Sequence, residues 1–387
     1  MKRLMVILVV FAIVAAALAG GASFIMQQNK LGKLKRVATQ AEEKIALNEY
    51  DDAIQLLQRI EQDGGTARSA YLLGKSYYSS GRMTQAMPWF QKIQAKYASS
   101  NYMPDAMLYQ ARYAMEVTAK PAEAREICLK ILENYPDSDA VDFALYYLAK
   151  ISFDAGDIPQ ARKNLDVVLK RKDSPARDEA EFILGDMNMK ALKSGEGGAD
   201  VETYIIKKGD NLWKLERQFK APIDLIVGIN GINPKALSVG SEIKIPRLDI
   251  SIVVDKTKRV LIVRNGPNFF KKYKIAINKT DARIPAKDYK ITIKSEKGRD
   301  FTNLESNSVV KASDPANPLG DRWIEISKDL GIHGGATPEV LGKPITNGYI
   351  AMTNADVEEL YALVRIGTPV TIKGKVATEE SPGNKTK

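Results

Sequence analysis

Two side chains in this sequence are of the types that carry nucleophilic catalysis, and each occurs once. They are Cys128 and His333, among 387 residues. An imidazole that takes up a thiol proton makes the sulfur a strong nucleophile. The two residues fall in different predicted domains, so we do not expect them to meet. One cysteine excludes an internal disulfide and a Cys-based zinc site, and one histidine excludes a histidine-rich metal centre. The sequence therefore predicts no metal and no cofactor.

Composition sets the class of protein. With 44% hydrophobic and 27% charged residues, the chain is globular rather than disordered, and it is not a polytopic membrane protein. Its length predicts two to four domains. The net charge of +10 suits nucleic acid, anionic lipid or an anionic wall polymer. No basic helix or aromatic stacking stripe has the spacing of nucleic-acid recognition, so we predict no nucleic-acid partner.

The first thirty residues predict the compartment. Lys2 and Arg3 precede an uncharged, apolar stretch from Leu4 to Met26. As a helix this stretch would span roughly 34 Å, enough for the hydrocarbon core of a bilayer. We therefore predict that residues 1–30 anchor the chain in the cytoplasmic membrane. A cleaved signal peptide is the alternative, because Ala17-Leu18-Ala19 is an acceptable cleavage site.

Residues 37–193 contain an internal repeat. Four segments share an alanine followed by apolar residues at +4 and +7, and in three of them also at +3; they begin at Ala53, Ala86, Ala124 and Ala161. These spacings of 33, 38 and 37 residues resemble tetratricopeptide repeats. The resemblance implies an all-α solenoid whose concave surface binds an unidentified protein, or else a plain spacer. Cys128 occupies an apolar position of its repeat, which predicts a packed, inert thiol.

A glycine-rich stretch at residues 194–200 predicts a linker, and a compact module follows at residues 201–247. Apolar alternation ending at Ile206 predicts a strand, Asp210 a helix cap, and the run from Glu242 to Ile245 a second strand. With two helices between them, the order is βααβ. Together with the Gly-Asp-Asn-Leu-Trp and Asn-Gly-Ile-Asn strings, this module resembles a LysM domain over its whole length.

The LysM resemblance implies binding of glycans that contain N-acetylglucosamine, in bacteria chiefly peptidoglycan. In that family the groove lies between the first strand–helix turn and the second helix–strand loop. Carried over residue by residue, the implied glycan-binding set is Gly209, Asp210, Asn211, Leu212, Ile226, Asn230, Gly231 and Ile232. A purely structural role is the alternative, with Asp210 as a cap and Asn230-Gly231 as a turn.

Residues 248–375 consist mainly of short alternating strands joined by Gly, Pro, Asn and Asp, which predicts a mainly-β sandwich or barrel. Strands at Ile250–Val254 and Arg259–Val263 are expected to form a hairpin. A helical pattern returns only near Asp356. Residues 376–387 are polar and lack periodicity, which predicts a disordered tail.

This β-domain resembles the L,D-transpeptidase catalytic domain of YkuD type. The resemblance rests on Ile332-His333-Gly334 and on the string from Thr346 to Asp356. In active members the second string begins Ser-His-Gly-Cys-Ile-Arg-Met. There the cysteine attacks a carbonyl of the peptidoglycan stem peptide, forming a thioester, and the upstream histidine orients and deprotonates the thiol. The equivalent histidine here is His333.

The sequence departs from the family's motif at the positions of the catalytic residues. Tyr349 stands at the cysteine position, Ala351 at the arginine position and Asn347 at the second histidine, while His333 and Gly348 remain. A phenol with a pKa near ~10 is mostly protonated at neutral pH, whereas a thiol near ~8.5 is easily activated. We therefore predict a domain that binds stem peptides without catalysis, with Tyr349 as an aromatic plug.

The whole chain then predicts an envelope protein with its bulk outside the cytoplasm. In this hypothesis it binds peptidoglycan glycan strands and stem peptides, and its repeats recruit a protein partner. The enzyme alternative is an L,D-transpeptidase or carboxypeptidase of altered chemistry. A third hypothesis is a protein-interaction adaptor whose wall domains are vestigial.

Overall fold

The computed structural model describes most of the chain, at residues 28, 30–195, 201–302, 308–328 and 330–376. The predicted membrane segment from Leu4 to Met26 lies outside these residues, as do most of the predicted linker and of the predicted tail. Among the described helices, none is long and apolar enough to cross a bilayer. The chain divides into two compact units, Met1–Ala176 and Arg177–Lys387.

All the regular secondary structure that the structure describes in the first unit is helical. Its helices are α1 (residues 30–46), α2 (Tyr50–Gln62), α3 (Ala67–Ser79), α4 (Met83–Lys96), α5 (Met103–Glu116), α6 (Pro121–Asn134), α7 (Ala140–Asp154) and α8 (Ile158–Lys170). From α2 onwards, each helix packs against the next one in the chain. This is the helical repeat array that the sequence predicts.

Small residues allow the helices of the first unit to approach closely. The four alanines that mark the repeats, at positions 53, 86, 124 and 161, have no solvent exposure. Gly74 of α3 serves the same purpose, because a Cβ there would lie 2.6 Å from the ring of Phe90 in α4. Cys128 is fully buried in the same core, as predicted, and burial raises its pKa to about 12. Such a thiol is protonated at neutral pH.

The second unit contains one helix before the small module and a β-rich domain after it. Its first elements are α9 (Arg177–Ser194), β1 (Val201–Ile205), α10 (Leu212–Phe219), α11 (Ile223–Asn230) and β2 (Glu242–Pro246). The β-domain contains β3 (Ile250–Asp255), β4 (Val260–Asn265), β5 (Asn268–Lys274), β6 (Ala276–Asn278), β7 (Asp288–Lys290), β8 (Ile293–Ser295), β9 (Phe301–Thr302), β10 (Val309–Val310), β11 (Trp323–Ser327), β12 (Leu330–His333), β13 (Pro344–Ile345), β14 (Ile350–Ala351), α12 (Asn354–Leu363) and β15 (Pro369–Lys373).

Helix α9 belongs to this second unit, whereas the sequence pattern extends the repeat array to residue 193. The helix packs along β5. Lys272 of β5 has a side chain only 2% exposed, and its Nζ lies 2.6 Å from Asp178 and 3.1 Å from Glu181 of α9. A buried ammonium requires such counter-ions. These ion pairs, together with the burial of Met189 and Leu192 in the core of the β-domain, join α9 to the second unit, and helical periodicity does not reveal them.

The small module has the predicted order of strand, helix, helix and strand. β1 and β2 pair antiparallel, with Tyr204 opposite Ile243. The prediction that Asp210 caps α10 is wrong. Asn211 is the N-cap, since its side chain accepts a hydrogen bond from the Lys214 N–H, while Asp210 accepts from the Lys207 N–H. Asp210 thus closes the turn that precedes the helix.

The β-domain packs two sheets around one hydrophobic core. The strand orders are β13-β6-β14-β12-β11-β8 and β5-β4-β3-β15-β7, and α12 follows β14. The predicted hairpin of β3 and β4 is present, with Ile252 opposite Val263. Side chains of both sheets, such as Ile252 and Ile332, share a core with Leu360 of α12. This is the mainly-β sandwich that the sequence predicts, and β12 and β14 run parallel at its centre.

Candidate functional site

His333 lies at the end of β12 with its imidazole completely buried. Its Nδ1 is 2.8 Å from the carbonyl oxygen of Gly334, and its Nε2 accepts a hydrogen bond from the backbone N–H of Tyr349 at 3.0 Å. An Nε2 that accepts is unprotonated, so the neutral ring carries its proton on Nδ1 and donates it to Gly334. Burial lowers the pKa of His333 to about 4. The imidazole is therefore neutral at pH 7, and both nitrogens are bonded to main chain.

Gly348 makes this arrangement sterically possible. Its φ is +88°, and a Cβ there would lie 2.4 Å from Nε2 of His333. Asn278 of β6 fixes the same turn, since its amide donates to the carbonyls of Thr346 and Gly348. The turn is thus held on both sides, by a buried asparagine and by the imidazole.

The ring of Trp323 packs against the imidazole, and the ring of Tyr349 packs against Trp323. Trp323 of β11 is nearly parallel to His333, with ring centroids 6.1 Å apart and an angle of 17°. The half-buried Tyr349 ring meets Trp323 edge-on, with centroids 5.8 Å apart, and packs against the core of the domain. Trp323 is 2% exposed and pairs with His333 across β11 and β12. Trp323 is not among the site residues predicted from the sequence, because its strand pairing with His333 is not visible in a local motif.

Ala351, predicted from the sequence to stand at the family's arginine position, is also enclosed. Ala351 of β14 is 2% exposed and lies opposite Ala276 of β6. One residue before it, Ile350 is fully buried in the core. The structure therefore brings His333, Gly348, Tyr349 and Ala351 together. The imidazole makes two main-chain hydrogen bonds and packs against the ring of Trp323, and the guanidinium of Arg299 lies 5.0 Å from the centre of that ring.

In the LysM-like module, the polar side chains of the implied groove are bonded within the module. The Asp210 carboxylate accepts hydrogen bonds from the Tyr204 hydroxyl and the Lys207 N–H, at 2.8 Å each. The Asn230 amide donates to the carbonyls of Ile226 and Lys244 and accepts from the Lys244 N–H. These contacts give both residues the structural role that the sequence analysis left open beside glycan contact.

The apolar members of the implied set lie in or against one hydrophobic cluster. Leu212 and Ile226 are buried in it, and the half-buried Ile232 packs on it. Gly209, Asn211 and Gly231 are exposed, and both glycines have positive φ. The accessible part of the set therefore consists largely of backbone at two tight turns.

One exposed aromatic side chain adjoins this set. Trp213, the second residue of α10, is 72% exposed and directly follows Leu212. A solvent-exposed indole offers a flat apolar face together with an N–H donor. The tryptophan is part of the motif that suggests LysM, but its exposure could not be read from the motif.

No cluster of three or more His, Cys, Asp or Glu side chains suited to a metal ion occurs among the residues that the structure describes. His333 itself is bonded at both ring nitrogens.

Comparison with known families matches four segments of the chain. Residues 249–372 match the YkuD family, described as the L,D-transpeptidase catalytic domain, and residues 204–246 match the LysM domain. Residues 39–101 and 105–138 match tetratricopeptide repeats. The three domain types named from the sequence are thus all present. Together they support a cell-wall-associated protein that has a protein-interaction array.

The chain is similar to L,D-transpeptidases from bacilli. It is 30% identical to the YkuD protein of Bacillus subtilis strain 168 over 177 residues, which cover 44% of this chain and 98% of the relative. It is 29% identical to the YkuD protein of Bacillus licheniformis, over 44% of this chain and 97% of the relative.

Among solved structures, an L,D-transpeptidase from Mycobacterium smegmatis matches 35% of this chain at 16% identity and a TM-score of 0.27. The match spans 65% of the mycobacterial chain. The catalytic domain of the L,D-transpeptidase from E. faecium matches 32% of this chain and 97% of its own length, at 23% identity and a TM-score of 0.27. Because the Bacillus subtilis relative is covered over nearly its whole length at 30% identity, this chain belongs to the YkuD family of L,D-transpeptidases.

Proposed function

We propose that this protein binds peptidoglycan at the cell envelope without cutting or joining it. Its LysM module would hold glycan strands, and its YkuD domain would hold stem peptides as a non-catalytic receptor. The apolar segment from Leu4 to Met26 would anchor the chain in the cytoplasmic membrane, with the bulk outside the cytoplasm. The helical repeats would recruit a protein partner.

The hydrogen bond from the Tyr349 N–H to Nε2 of His333 carries the non-catalytic part of the proposal. A general base needs a free lone pair within reach of the proton that it removes. Here the lone pair of the neutral imidazole is already engaged by a main-chain donor. We assign Tyr349 to the family's cysteine position, and the one cysteine of the chain, Cys128, lies outside the YkuD match. Acyl transfer through a thioester thus lacks both an attacking sulfur and an available base.

Glycan binding is supported by the exposed turns of the LysM module. Gly209, Asn211 and Gly231 are exposed at tight turns, and Trp213 is exposed beside them. Sugars offer hydroxyl and acetamide groups but little charge, so backbone donors and acceptors with one flat aromatic face suit them. We assign contact with glycan to these four residues, and we assign Asp210 and Asn230 the task of holding the turns.

Recruitment of a protein partner is supported by aromatic residues on the repeats. Tyr71 of α3 stacks on Tyr102, just before α5, and meets Tyr109 of α5 edge-on, and all three are half-buried. The ring of Tyr71 lies 4.9 Å from that of Tyr102 and 6.3 Å from that of Tyr109. Tyrosine is enriched in protein interfaces because it contributes large contact area and a hydroxyl at low entropic cost. We propose that this group of three residues contacts the partner.

A turnover assay tests the catalytic part. The purified full-length chain is incubated with disaccharide-tetrapeptide muropeptides, while an active L,D-transpeptidase serves as the positive control for the substrate. We expect binding but neither cross-linked nor trimmed products, and no covalent acyl adduct in the intact-protein mass spectrum. Turnover that the Tyr349→Phe variant abolishes would instead establish the enzyme alternative.

A sedimentation assay tests wall binding. The full-length chain is expected to pellet with purified sacculi, and Trp213→Ala should reduce the pelleted fraction. Glu216→Ala, on the same helix, serves as the matched control. If the wild-type chain stays in the supernatant, the wall domains are vestigial and the adaptor hypothesis replaces this one.

A further inference from the structure

Helix α11 of the LysM module packs into the core of the β-domain. Leu225 is 4% exposed and belongs to the hydrophobic cluster that fills the β-sandwich, and the half-buried Ile229 and Val201 pack against the same cluster. Met189 and Leu192 of α9 belong to it as well. Two domains joined by a free tether would each close their own core. Here the core of the β-domain includes side chains of the LysM module.

A single lysine ties the two domains together beside that apolar contact. Lys294 of β8 is only 12% exposed at its side chain, and its Nζ lies 2.8 Å from the Asp224 carboxylate of α11. The same Nζ donates to the Val364 carbonyl at 2.7 Å and lies 4.0 Å from the centre of the Tyr361 ring. One cation thus satisfies a carboxylate of the LysM module, and a carbonyl and an aromatic face of the β-domain. We call these contacts the Lys294 junction.

The connecting segment adds a further restraint. Only residues 247–249 separate β2 from β3, and Leu248 among them is 8% exposed in the shared core. Arg247 pairs with Glu202 at 2.6 Å, and its guanidinium lies 5.0 Å from the centre of the Phe219 ring. A segment so short, with both of these residues engaged, leaves little freedom between the domains.

The junction leaves the candidate glycan face open. Gly209, Asn211 and Gly231 are exposed while α11 is packed against the β-domain. Ile229 faces the core, and Gly231, two residues later, faces solvent. The helix therefore has one side for the domain contact, and its C-terminal end remains available to a ligand.

We infer that the LysM module and the YkuD domain act as one rigid bidentate receptor, whose ligand is a glycan strand that still carries its stem peptides. This inference rests on the proposed function. Two sites held at fixed separation bind a ligand that reaches both with a high effective concentration for the second contact. Fixing the domains in advance also removes the ordering entropy that a flexible tandem would lose on binding.

The test compares two ligands and three variants of the full-length chain. The ligands are purified glycan strands with intact stem peptides, and the same strands stripped of peptide by an amidase. Lys294→Met keeps the aliphatic stem over Tyr361 but removes the ammonium, and Asp224→Lys places a second cation against Lys294. Lys290→Met, at an exposed lysine of β7, is the matched control. Circular dichroism and thermal unfolding show which variants remain folded.

We expect the wild type to bind peptide-bearing strands at least tenfold more tightly than stripped strands. Both junction variants should reduce that ratio three- to tenfold through weaker binding of peptide-bearing strands alone, while Lys290→Met leaves it unchanged. An unchanged ratio in both folded junction variants, or a parallel loss for the two ligands, would overturn the inference. Equal binding of the two ligands by the wild type also overturns it but leaves wall binding intact. Failure of the wild type to bind either ligand contradicts the proposed function itself, and this inference with it.

Discussion

The backbone N–H of Tyr349 donates a hydrogen bond to Nε2 of His333 across 3.0 Å. The donor is main chain, so the bond depends on the path of the turn rather than on the phenol that follows it. With Nδ1 at 2.8 Å from the Gly334 carbonyl, the imidazole is bonded at both of its nitrogens. His333 thus serves as a bridge between β12 and the turn before β14.

The protonation state of His333 gives the first prediction. Burial lowers its pKa to about 4 from an ordinary 6.5. We expect the neutral Nδ1–H tautomer throughout the neutral range, with Nε2 unprotonated. Because the chain contains one histidine, a sample labelled with ¹⁵N-histidine gives a single pair of ring nitrogen signals to follow against pH. Titration near pH 6.5 in the folded protein would contradict the buried, bridged imidazole.

The same residue predicts a dependence of stability on pH. Between pH 6.5 and about 4 the unfolded chain binds a proton that the folded chain does not. The contribution of His333 is therefore complete above pH 6.5 and is lost as the pH falls towards 4, on the order of 3 kcal/mol in all. Denaturant unfolding of the wild type should show this loss, and His333→Gln should flatten it. Identical slopes for the two proteins would exclude His333 as the cause.

Gly348 predicts a steric effect that can be separated from backbone strain. Gly348→Ala would place a Cβ 2.4 Å from Nε2 of His333, at a φ of +88°. We expect the free energy of unfolding to fall by at least about 2 kcal/mol. Gly342→Ala is the control, because its φ is +78° and nothing lies within 4 Å of the new Cβ. Its free energy of unfolding should fall by only about 1 kcal/mol, the cost of placing alanine in the left-handed backbone conformation. If both variants lose the same free energy of unfolding, the imidazole of His333 must move aside without cost, and the steric prediction is wrong.

The ion pairs between α9 and β5 predict an asymmetric response to mutation. Removing both counter-ions, with Asp178→Asn and Glu181→Gln, leaves the ammonium of Lys272 buried and unpaired. We expect a loss of about 3 kcal/mol. Lys272→Met removes the buried charge itself and should lower stability far less. Chemical denaturation measures both, and the prediction is wrong if the methionine variant is the less stable of the two.

Cys128 predicts a chemical probe of the repeat array. Its thiol is fully buried and burial raises its pKa to about 12, so thiolate is scarce at pH 8. We expect negligible alkylation by iodoacetamide in the native protein and rapid alkylation in denaturant, followed by intact mass. Since the chain has one cysteine, the alkylation rate reports opening of this unit alone. Fast labelling under native conditions would show that the core around α6 opens readily.

Local sequence patterns were sufficient for the repeat helices, the βααβ order and the β3–β4 hairpin. Each of these depends on contacts between residues close in the chain or on a regular period of apolar side chains. The alanines of the repeats are an example, because a small residue followed by apolar ones at +4 and +7 marks one face of a helix. The same reasoning was wrong at Asp210, because the neighbouring Asn211, which is an equally good capping residue, is the N-cap of α10.

The sequence by itself determined the three domain types, the lack of a thiol in the YkuD segment and the single imidazole that remains. Only the tertiary structure decided that this imidazole is bonded on both sides, that α9 belongs with the β-domain and that Lys294 joins LysM to it. These features depend on groups far apart in the chain, such as Asp224 and Lys294, whose meeting follows from sheet pairing and domain packing. Local periodicity does not reveal such long-range contacts, because the burial of a side chain and the position of its counter-ion depend on the tertiary structure.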